Sequence, residues 1–548
     1  MLDYIFYSTF LRPLTLPVSQ FQTLAAHIPA VSYHDNIAVP FSHLLQYGRH
    51  LDNKKNTTQS LFKQYYRIDW LKEINTELSH TQKEQLSEFL GVFLKKIAPF
   101  NKDIWDVNIV SARIYNMLLA SHYIFDKNDQ SPIAKEYFKS ILQQSIYLRR
   151  KLKKHHSKRD YILYIIRSLY ARICFLEERN HLKPLMITLE KRLQEDFYKD
   201  GGHISRNTSF QLKIVDELIQ LRNLAVNSGI SLPTNIQSVI SLSVDYLNFM
   251  RHPDGKLAIF NGSYESDADY INKILNISTA ELKNNKLIKL KDTGFYRLTA
   301  PNITLITDLQ KFDSRHQYDY QSMLAFELSI GKNRVFINCG SGDELGNEWT
   351  KAMQQPAAHT MPVIDIPNIV PSLKTPIITG KKTLKPFVSI NSQGTTIEAA
   401  QSYEFGKTGH VTHHRHLTLF KTGKILRGED TFNMVENDKK LPIDNPACYI
   451  RFHLGADITA KSSGTSVVLS VPNHGDWMFT VGSGKIIMEP SIYLGTASMQ
   501  EVKQIVVKLT LNKPQIKFRW TLQELTKPKK KTIPVLLTKE SEEIHETV

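Results

Sequence analysis

The sequence predicts an α-then-β chain, with a helical N-terminal half followed by a C-terminal antiparallel β-sandwich. Three observations predict it. The 548 residues exceed what one hydrophobic core supports, roughly 250–300 residues, so two large domains are expected. Apolar residues recur at helical spacing through the first half. From about Lys286 they alternate with polar residues in short runs punctuated by Gly, Asn and Asp.

The helical stripes come first. Leu86, Leu90, Phe93, Leu94 and Ile97 share one face, and Ile114 with Leu118 begins another stripe. Between Asp160 and Arg179, Ile162, Ile166, Leu169, Tyr170 and Ile173 recur at i, i+4, i+7, i+8 and i+11. After Asn207 the pattern returns with Ile214, Leu218 and Leu221. Successive helices joined by short polar connections describe a bundle, a solenoid or a toroid, and periodicity does not choose among them.

Leu324, Phe326, Leu328 and Ile330 then alternate with Ala325, Glu327 and Ser329, the period of a half-buried strand. GFYRL, RVFIN, HLTLF, SVVLSV, WMFTV, KQIVVKLTL and IKFRWTL read as further strands without helices between them. The expected division is a helical domain over 1–285, a β domain over 286–525 and a charged tail over 526–548. The tail carries a basic run and then an acidic one, as solvated tails do.

Lys and Arg number 69 against 53 Asp and Glu, a net charge of +16. That excess admits nucleic acid, an anionic membrane surface or an acidic polysaccharide as partner, and equally a basic surface with no specific partner. Three cysteines, Cys174, Cys339 and Cys448, lie far apart, which excludes a disulfide framework and a CxxC zinc pattern. No segment offers the ~18 uncharged apolar residues that span a bilayer. The N-terminus lacks a basic n-region and is interrupted by Asp3, Arg12 and Pro13, a poor secretory signal. There is no P-loop, HExxH, GxSxG or dinucleotide fingerprint.

The chemistry therefore rests on concentrations of polar residues. GGHISRN (201–207) precedes an amphipathic helix. It reads as a turn capped by Asn207 or Thr208, or as an anion-facing helix end with His203, Arg206 and Asn207 towards a ligand. FNGSYESDADY (260–270) puts Tyr264 on a Gly/Ser loop, a frequent place for a surface tyrosine. In SRHQYDYQ (314–321), alternation places His316, Tyr318 and Tyr320 on one face of a strand leading into LAFELSI. PAAHT carries His359, and HVTHHRHLTLF carries His413 and Arg415. His413 and His414 fall on opposite strand faces and do not chelate together.

Taken in order, these blocks resemble the heparinase II/III family of polysaccharide lyases, in its alphaproteobacterial branch. WDVNIVSARIYNMLLA, with Trp105, is similar to a helical-domain block of the family, and DGGHISRN to its most distinctive motif. GFYRL, LAFELSIGKNRVFINCG, PAAHT, HHRHLTL, YIRFHL, EPSIYLG and FRWTL are similar to its β-domain blocks. The resemblance implies an incomplete (α/α) toroid against antiparallel β-sheets, with an acidic glycan in the cleft between them. It also implies β-elimination: a group that neutralises the uronate carboxylate, a base for the C5 proton and an acid for the leaving oxygen.

Carried over by motif, Asn207 is the candidate neutraliser, Tyr264 the candidate base or acid, and His359 a candidate catalytic histidine. His316, two residues before Tyr318 on the same strand face, is the candidate substitute for the family histidine missing there, with Tyr318 itself the alternative for proton transfer. His203, Arg206, Trp105, Tyr318, His413 and Arg415 are the candidate substrate-binding residues. Where many members carry HxHxD, this chain has Tyr318, Tyr320 and Ser322, and Asn338 stands where a zinc-binding aspartate is found. With His359 alone retained, zinc has too few ligands, so no metal and no cofactor is expected. The expected partner is an acidic polysaccharide, without nucleic acid or an integral membrane segment. The resemblance points to the cell envelope or periplasm, and the poor signal to the cytoplasm. The same departures make a glycan-binding protein without turnover the alternative function. A nucleic-acid binder has only charge in its favour, since no RNP, helix-turn-helix or zinc-finger signature is present.

Overall fold

A computed structural model of the chain describes residues 59–525 apart from 75–76, 127–128, 157–158, 176–181, 278–287, 310–319, 344, 366–376, 379–385, 405–408, 437–445 and 497–498. The N-terminal segment read as a poor signal and the charged tail lie outside the described residues.

The helices of the N-terminal half are α1 Gln59–Arg67, α2 His80–Ile97, α3 Val107–Ile124, α4 Pro132–Lys151, α5 Tyr161–Cys174, α6 Leu182–Glu195, α7 Thr208–Asn227, α8 Ile236–Phe249 and α9 Ala268–Ile277, and a short helix, Asn347–Met353, interrupts the strands of the second half. Local chemistry sets several of their starts. Ser79 and Gln82 form a reciprocal capping box before α2, and Ser131 caps α4 ahead of Pro132. The helices pack in two layers, with α3, α5 and α7 in succession on the inside and α4, α6 and α8 laid against them.

Burial explains the layering. The α6 helix buries only Leu182, Leu185, Leu189 and Leu193, a single stripe for one neighbour. By contrast α5 is buried at all 14 residues, so its expected single stripe is one part of a helix enclosed on every side. Enclosure brings polar groups inside, and they are paired. Arg167 of α5 donates from Nε and Nη2 to Glu217 of α7 at 2.7–3.2 Å, with both side chains about 3% exposed.

The strands form two antiparallel sheets. One contains β1 Phe295–Ala300, β2 Ile303–Asp308, β3 Phe326–Ile330, β4 Asn333–Ile337, β5 Pro362–Asp365, β11 Ala447–Leu454, β15 Lys485–Tyr493 and β16 Gln500–Thr510. Its order is β1-β2-β3-β4-β11-β16-β15, with β5 also on β11. The other contains β6 Ile377–Ile378, β7 Phe387–Ile390, β8 Gly394–Glu404, β9 Gly409–Phe420, β10 Ile425–Glu436, β12 Thr459–Ser463, β13 Ser466–Val471, β14 Gly475–Val481 and β17 Gln515–Glu524. It runs β12-β13-β14-β17-β10-β9-β8-β6, with β7 also on β8.

The sheets close on a shared aromatic core. Phe326 of β3 stacks on Trp520 of β17 at 5.8 Å, and Phe336 of β4 meets Phe479 of β14 at 6.0 Å. This is the sandwich that the alternating pattern predicts. One detail differs: β3 begins only at Phe326, after a left-handed Leu324 (φ 68°), so Tyr320 precedes the strand instead of lying on it.

Candidate active site

The turn before α7 is built from DGGHISRN. Gly201 adopts φ 86°, and a Cβ there would stand 2.1 Å from the Leu242 carbonyl oxygen, so only glycine fits. Asp200 accepts from the backbone N–H groups of Asp292 and Thr293 at 2.8 Å and from Thr293 Oγ1 at 3.0 Å, pinning the turn to the chain entering β1. His203 is buried between the Phe197 and Phe210 rings, each 5.3 Å away, with Nδ1 2.9 Å from Ser205 Oγ. It shapes the turn.

Arg206 holds a left-handed backbone (φ 54°) and turns inward. Its Nη2 and Nη1 donate to Asp308 of β2 at 2.5 and 3.1 Å, and Nε donates to the Thr293 carbonyl. The guanidinium also lies 4.4 Å over Phe295. Burial opposes its charge, but Asp308 outweighs burial and holds its pKa above the ordinary arginine value. Arg206 therefore ties helices to sheet and does not present a free cation to a ligand.

Asn207 caps α7. Its Oδ1 accepts from Phe210 N at 2.8 Å and from Ser209 Oγ at 2.9 Å, while Nδ2 donates to the Asn261 carbonyl at 2.9 Å. Asn261 returns a bond from Nδ2 to the Arg206 carbonyl at 3.2 Å. Thr208 Oγ1 donates to Ala258 O, and Tyr264 N donates to Ser209 Oγ at 3.2 Å. Loop 258–264 is thus stitched to the first turn of α7, which brings half-buried Tyr264 beside Asn207.

The β half supplies the opposite side. Ser322 Oγ lies 3.3 Å from Asp308 Oδ2 and 3.5 Å from Asn261 Oδ1, linking both. Tyr320 lies over Gly262 (φ 71°): a Cβ on that residue would stand 2.2 Å from the phenol oxygen. Burial, with Asp343 adding to it, pushes the Tyr320 phenol well above its ordinary value, against the pull of Arg159; Tyr264 is also close enough to act on it. The Tyr320 ring is 6.5 Å from that of His359. His359 is buried, neither ring nitrogen has a hydrogen-bond partner among the described residues, and burial with His453 nearby lowers its pKa to about 3. It is a neutral imidazole behind Tyr320.

Asn338 holds that wall from beneath. Its Nδ2 donates to Ile259 O at 3.0 Å and to Glu327 Oε1 at 3.3 Å, and its Oδ1 accepts from Thr360 N at 3.1 Å. The amide is consumed in fixing the residue next to His359. With Tyr320 and this amide at two of the expected ligand positions, the residues do not fit zinc. Among the described residues no three His, Cys, Asp or Glu side chains are grouped to hold a metal ion.

Three candidate binding residues lie elsewhere. Trp105 is 2% exposed, its indole N–H donates to Ile97 O at 3.0 Å, and its ring meets Tyr147 edge-on at 5.0 Å. It is a core residue of the helical layer. His413 and Arg415 point into the sandwich, where His413 Nε2 and Arg415 Nε each lie 2.7 Å from Asp430 Oδ1. Burial alone would raise Asp430, yet Arg415 and His413 hold its carboxyl far below the usual range. Alternation along β9 does separate them from outward-facing His414 and His416, but the inner face is packed core and not a cleft wall. His316 and Tyr318 lie outside the described residues.

Two residues not chosen from sequence stand at the site: Tyr320, and Arg159, whose guanidinium lies 4.8 Å over the Phe210 ring in the first turn of α7. No local motif marks Arg159. The only sequence signal is the basic run in which it sits.

The family profile described as "Heparinase II/III-like, C-terminal" matches residues 282–521. The chain thus carries a heparinase II/III-like C-terminal domain over its β half. Its fold is similar to a solved heparinase III, with TM-score 0.65 at 13% identity over 94% of this chain and 88% of that one. It is similar to a mutant heparan sulfate lyase of Pedobacter heparinus, with TM-score 0.59 at 12% identity over 92% and 87%. It is also similar to a Paenibacillus xanthan lyase, with TM-score 0.51 at 10% identity over 93% of this chain and 60% of that one. Among curated proteins, none matches by sequence. No helix among the described residues is long and apolar enough to cross a membrane.

Proposed function

We propose that this chain is a polysaccharide lyase of the heparinase II/III family that cleaves an acidic, uronate-containing glycan, heparan-sulfate-like or alginate-like, by β-elimination. The observation that carries the proposal is the convergence of Asn207, Tyr264 and Tyr320 where the first turn of α7 meets loop 258–264. The solved lyases of similar fold support the reaction class.

In this mechanism Asn207 Nδ2 donates to the uronate carboxylate. Its oxygen is occupied as the helix cap and one Nδ2 hydrogen by the Asn261 carbonyl, which fixes the amide and leaves the second hydrogen for the carboxylate. The positive end of the α7 dipole favours the same anion. As the C5–H bond breaks, charge develops on the carboxylate as an enolate, and the fixed donor stabilises it. Tyr264 takes the proton, the electron pair forms the C4–C5 double bond, and the bond to the C4 oxygen breaks. That oxygen leaves with a proton from a phenol, either Tyr264 or Tyr320.

A tyrosine base needs its pKa of about 10 lowered, at about 1.4 kcal/mol per unit. Arg206 does not supply that field, because Asp308 neutralises it, nor does the neutral His359. Arg159, itself beside Asp160, is the cation that acts on the neighbouring Tyr320 phenol. His359 and Asn338 act as positioning residues for the Tyr320 wall, and His203 and Arg206 for the turn that carries Asn207.

The test follows ultraviolet absorbance of unsaturated uronate over a panel of acidic glycans, with each product confirmed by mass. Product on at least one glycan is the expected result. The alternative, glycan binding without turnover, is favoured by one observation: the Tyr320 phenol is held protonated where the family carries a histidine. Binding with no product on any glycan would establish it. The cell envelope is the proposed location, with the cytoplasm as the alternative.

A further inference from the structure

Residues 149–159, RRKLKKHHSKR, hold seven Lys or Arg and no acid. Arg149, Arg150 and Lys151 form the last turn of α4, where cations offset the helix dipole, and Lys151 Nζ lies 5.5 Å over Tyr147. That ordinary role does not extend to the residues beyond them.

Lys153 and Lys154 follow in a single 3₁₀ turn, Leu152–His155, and both are exposed. Among the described residues neither has a carboxylate within 4.0 Å, whereas Lys83 and Lys256 each have one at 2.8 and 2.7 Å. The turn is anchored. Leu152 is buried, the His155 ring meets Tyr164 edge-on at 6.2 Å, and His156 Nδ1 lies 3.1 Å from Lys153 O. Two lysines are therefore held outward on a fixed turn.

The run ends at the candidate site. Arg159 lies over Phe210, whose backbone N–H is bound by the Asn207 cap. Its Nε donates to Asp160 Oδ1 at 3.4 Å in a half-exposed pair, and it also feels Asp343 and Tyr320 of the β half, so it faces across the joint.

We propose that Lys153, Lys154 and Arg159 form a cationic track that binds the acidic glycan chain where it leaves the site, so that recognition extends past the sugar being cleaved. The proposal rests on the polysaccharide reading above and names its occupant by chemistry: a polyanion whose carboxylate or sulfate groups repeat along the chain. A polysaccharide is favoured over nucleic acid because Arg159 adjoins the Asn207 cap through Phe210, and among the described residues of the run no Phe, Tyr or Trp is exposed for bases to stack on. Each cation contributes chiefly by releasing counterions, so its effect depends on salt and on chain length.

The test is affinity for immobilised heparin and for heparin oligosaccharides from tetrasaccharide upward, read against NaCl, for the full chain and the Lys153→Ala/Lys154→Ala variant. The control is Lys461→Ala/Lys485→Ala, which removes the same charge from exposed positions on the sheets. The expected result is that the first variant alone elutes at lower salt, with the slope of log Kd against log salt reduced by about one to two. It should also lose the affinity gained between short and long oligosaccharides, with an unchanged melting temperature. Equal shifts in both variants, no shift in either, or a loss confined to single-stranded DNA binding would overturn the track. Absence of unsaturated product together with a shift specific to the first variant would refute the lyase reading and leave the track standing.

Discussion

Arg206 and Asp308 form a buried bidentate ion pair, 2.5 and 3.1 Å, that joins the turn before α7 to the end of β2. The exposures of the two side chains are 5% and 1%, so neither charge has water to turn to. Removing one partner leaves the other unpaired, which costs about 3–5 kcal/mol in such settings. Asp308→Ala should destabilise by that amount in urea unfolding, and Arg206→Met/Asp308→Leu by clearly less than the two single changes summed. A loss below about 1 kcal/mol for Asp308→Ala would contradict this account of the joint.

Gly262 provides a second test. Alanine there meets both φ 71° and the Tyr320 phenol, whereas Gly464 has a similar φ of 60° with nothing within 4 Å of a Cβ. Gly464→Ala reports backbone strain alone, on the order of 1 kcal/mol. Gly262→Ala should lower the melting temperature further and weaken turnover. Equal effects would mean that the Tyr320 contact is unimportant.

Asn207 combines a cap with a proposed catalytic donor, and substitutions separate the two. Asn207→Ala removes both and should cost about 0.5–2 kcal/mol of stability along with most activity. Asn207→Asp keeps a capping oxygen but sets a negative charge where the uronate carboxylate would bind. It should keep stability within about 1 kcal/mol by thermal unfolding yet lose activity as fully as alanine. Retained turnover in Asn207→Asp would remove the neutraliser assignment.

Stability at low pH follows from the buried histidines. Burial pushes His359 down to about 3 and His453 to about 4, and lowers His252 and His413 as well. The unfolded chain, with histidines near 6.5, binds the extra protons, so stability is lost as pH falls from 6.5 towards 3. Each such group contributes a slope of about 1.4 kcal/mol per pH unit within its own window. Glu327 acts in the opposite sense: burial raises it to about 7 despite Arg334, so its contribution is complete below about 4.5 and lost as pH rises through 7. His359→Gln should flatten the acid limb of a stability-against-pH curve, and an unchanged slope would show that His359 does not contribute.

Much of the fold is legible in the sequence because burial in it is periodic. Leu86, Leu90, Phe93, Leu94 and Ile97 are all buried on α2, and the HHRHLTLF alternation sends His413 and Arg415 inward. The site is less legible, for a physical reason. A polar residue in a distinctive motif looks alike whether it faces a ligand or a partner far along the chain. Arg206 finds Asp308, 102 residues along the chain, and no local spacing discloses that partner. Arg159 is the converse case, an unremarkable member of a basic run that the fold brings over Phe210.

The measurement that bears most directly on the central claim compares wild type with Tyr264→Phe for release of unsaturated uronate on the best glycan of the panel. The account predicts product from wild type and a rate at least about 100-fold lower in a variant of equal melting temperature, as removal of a proton-transferring group should give. An undiminished rate in Tyr264→Phe would contradict it.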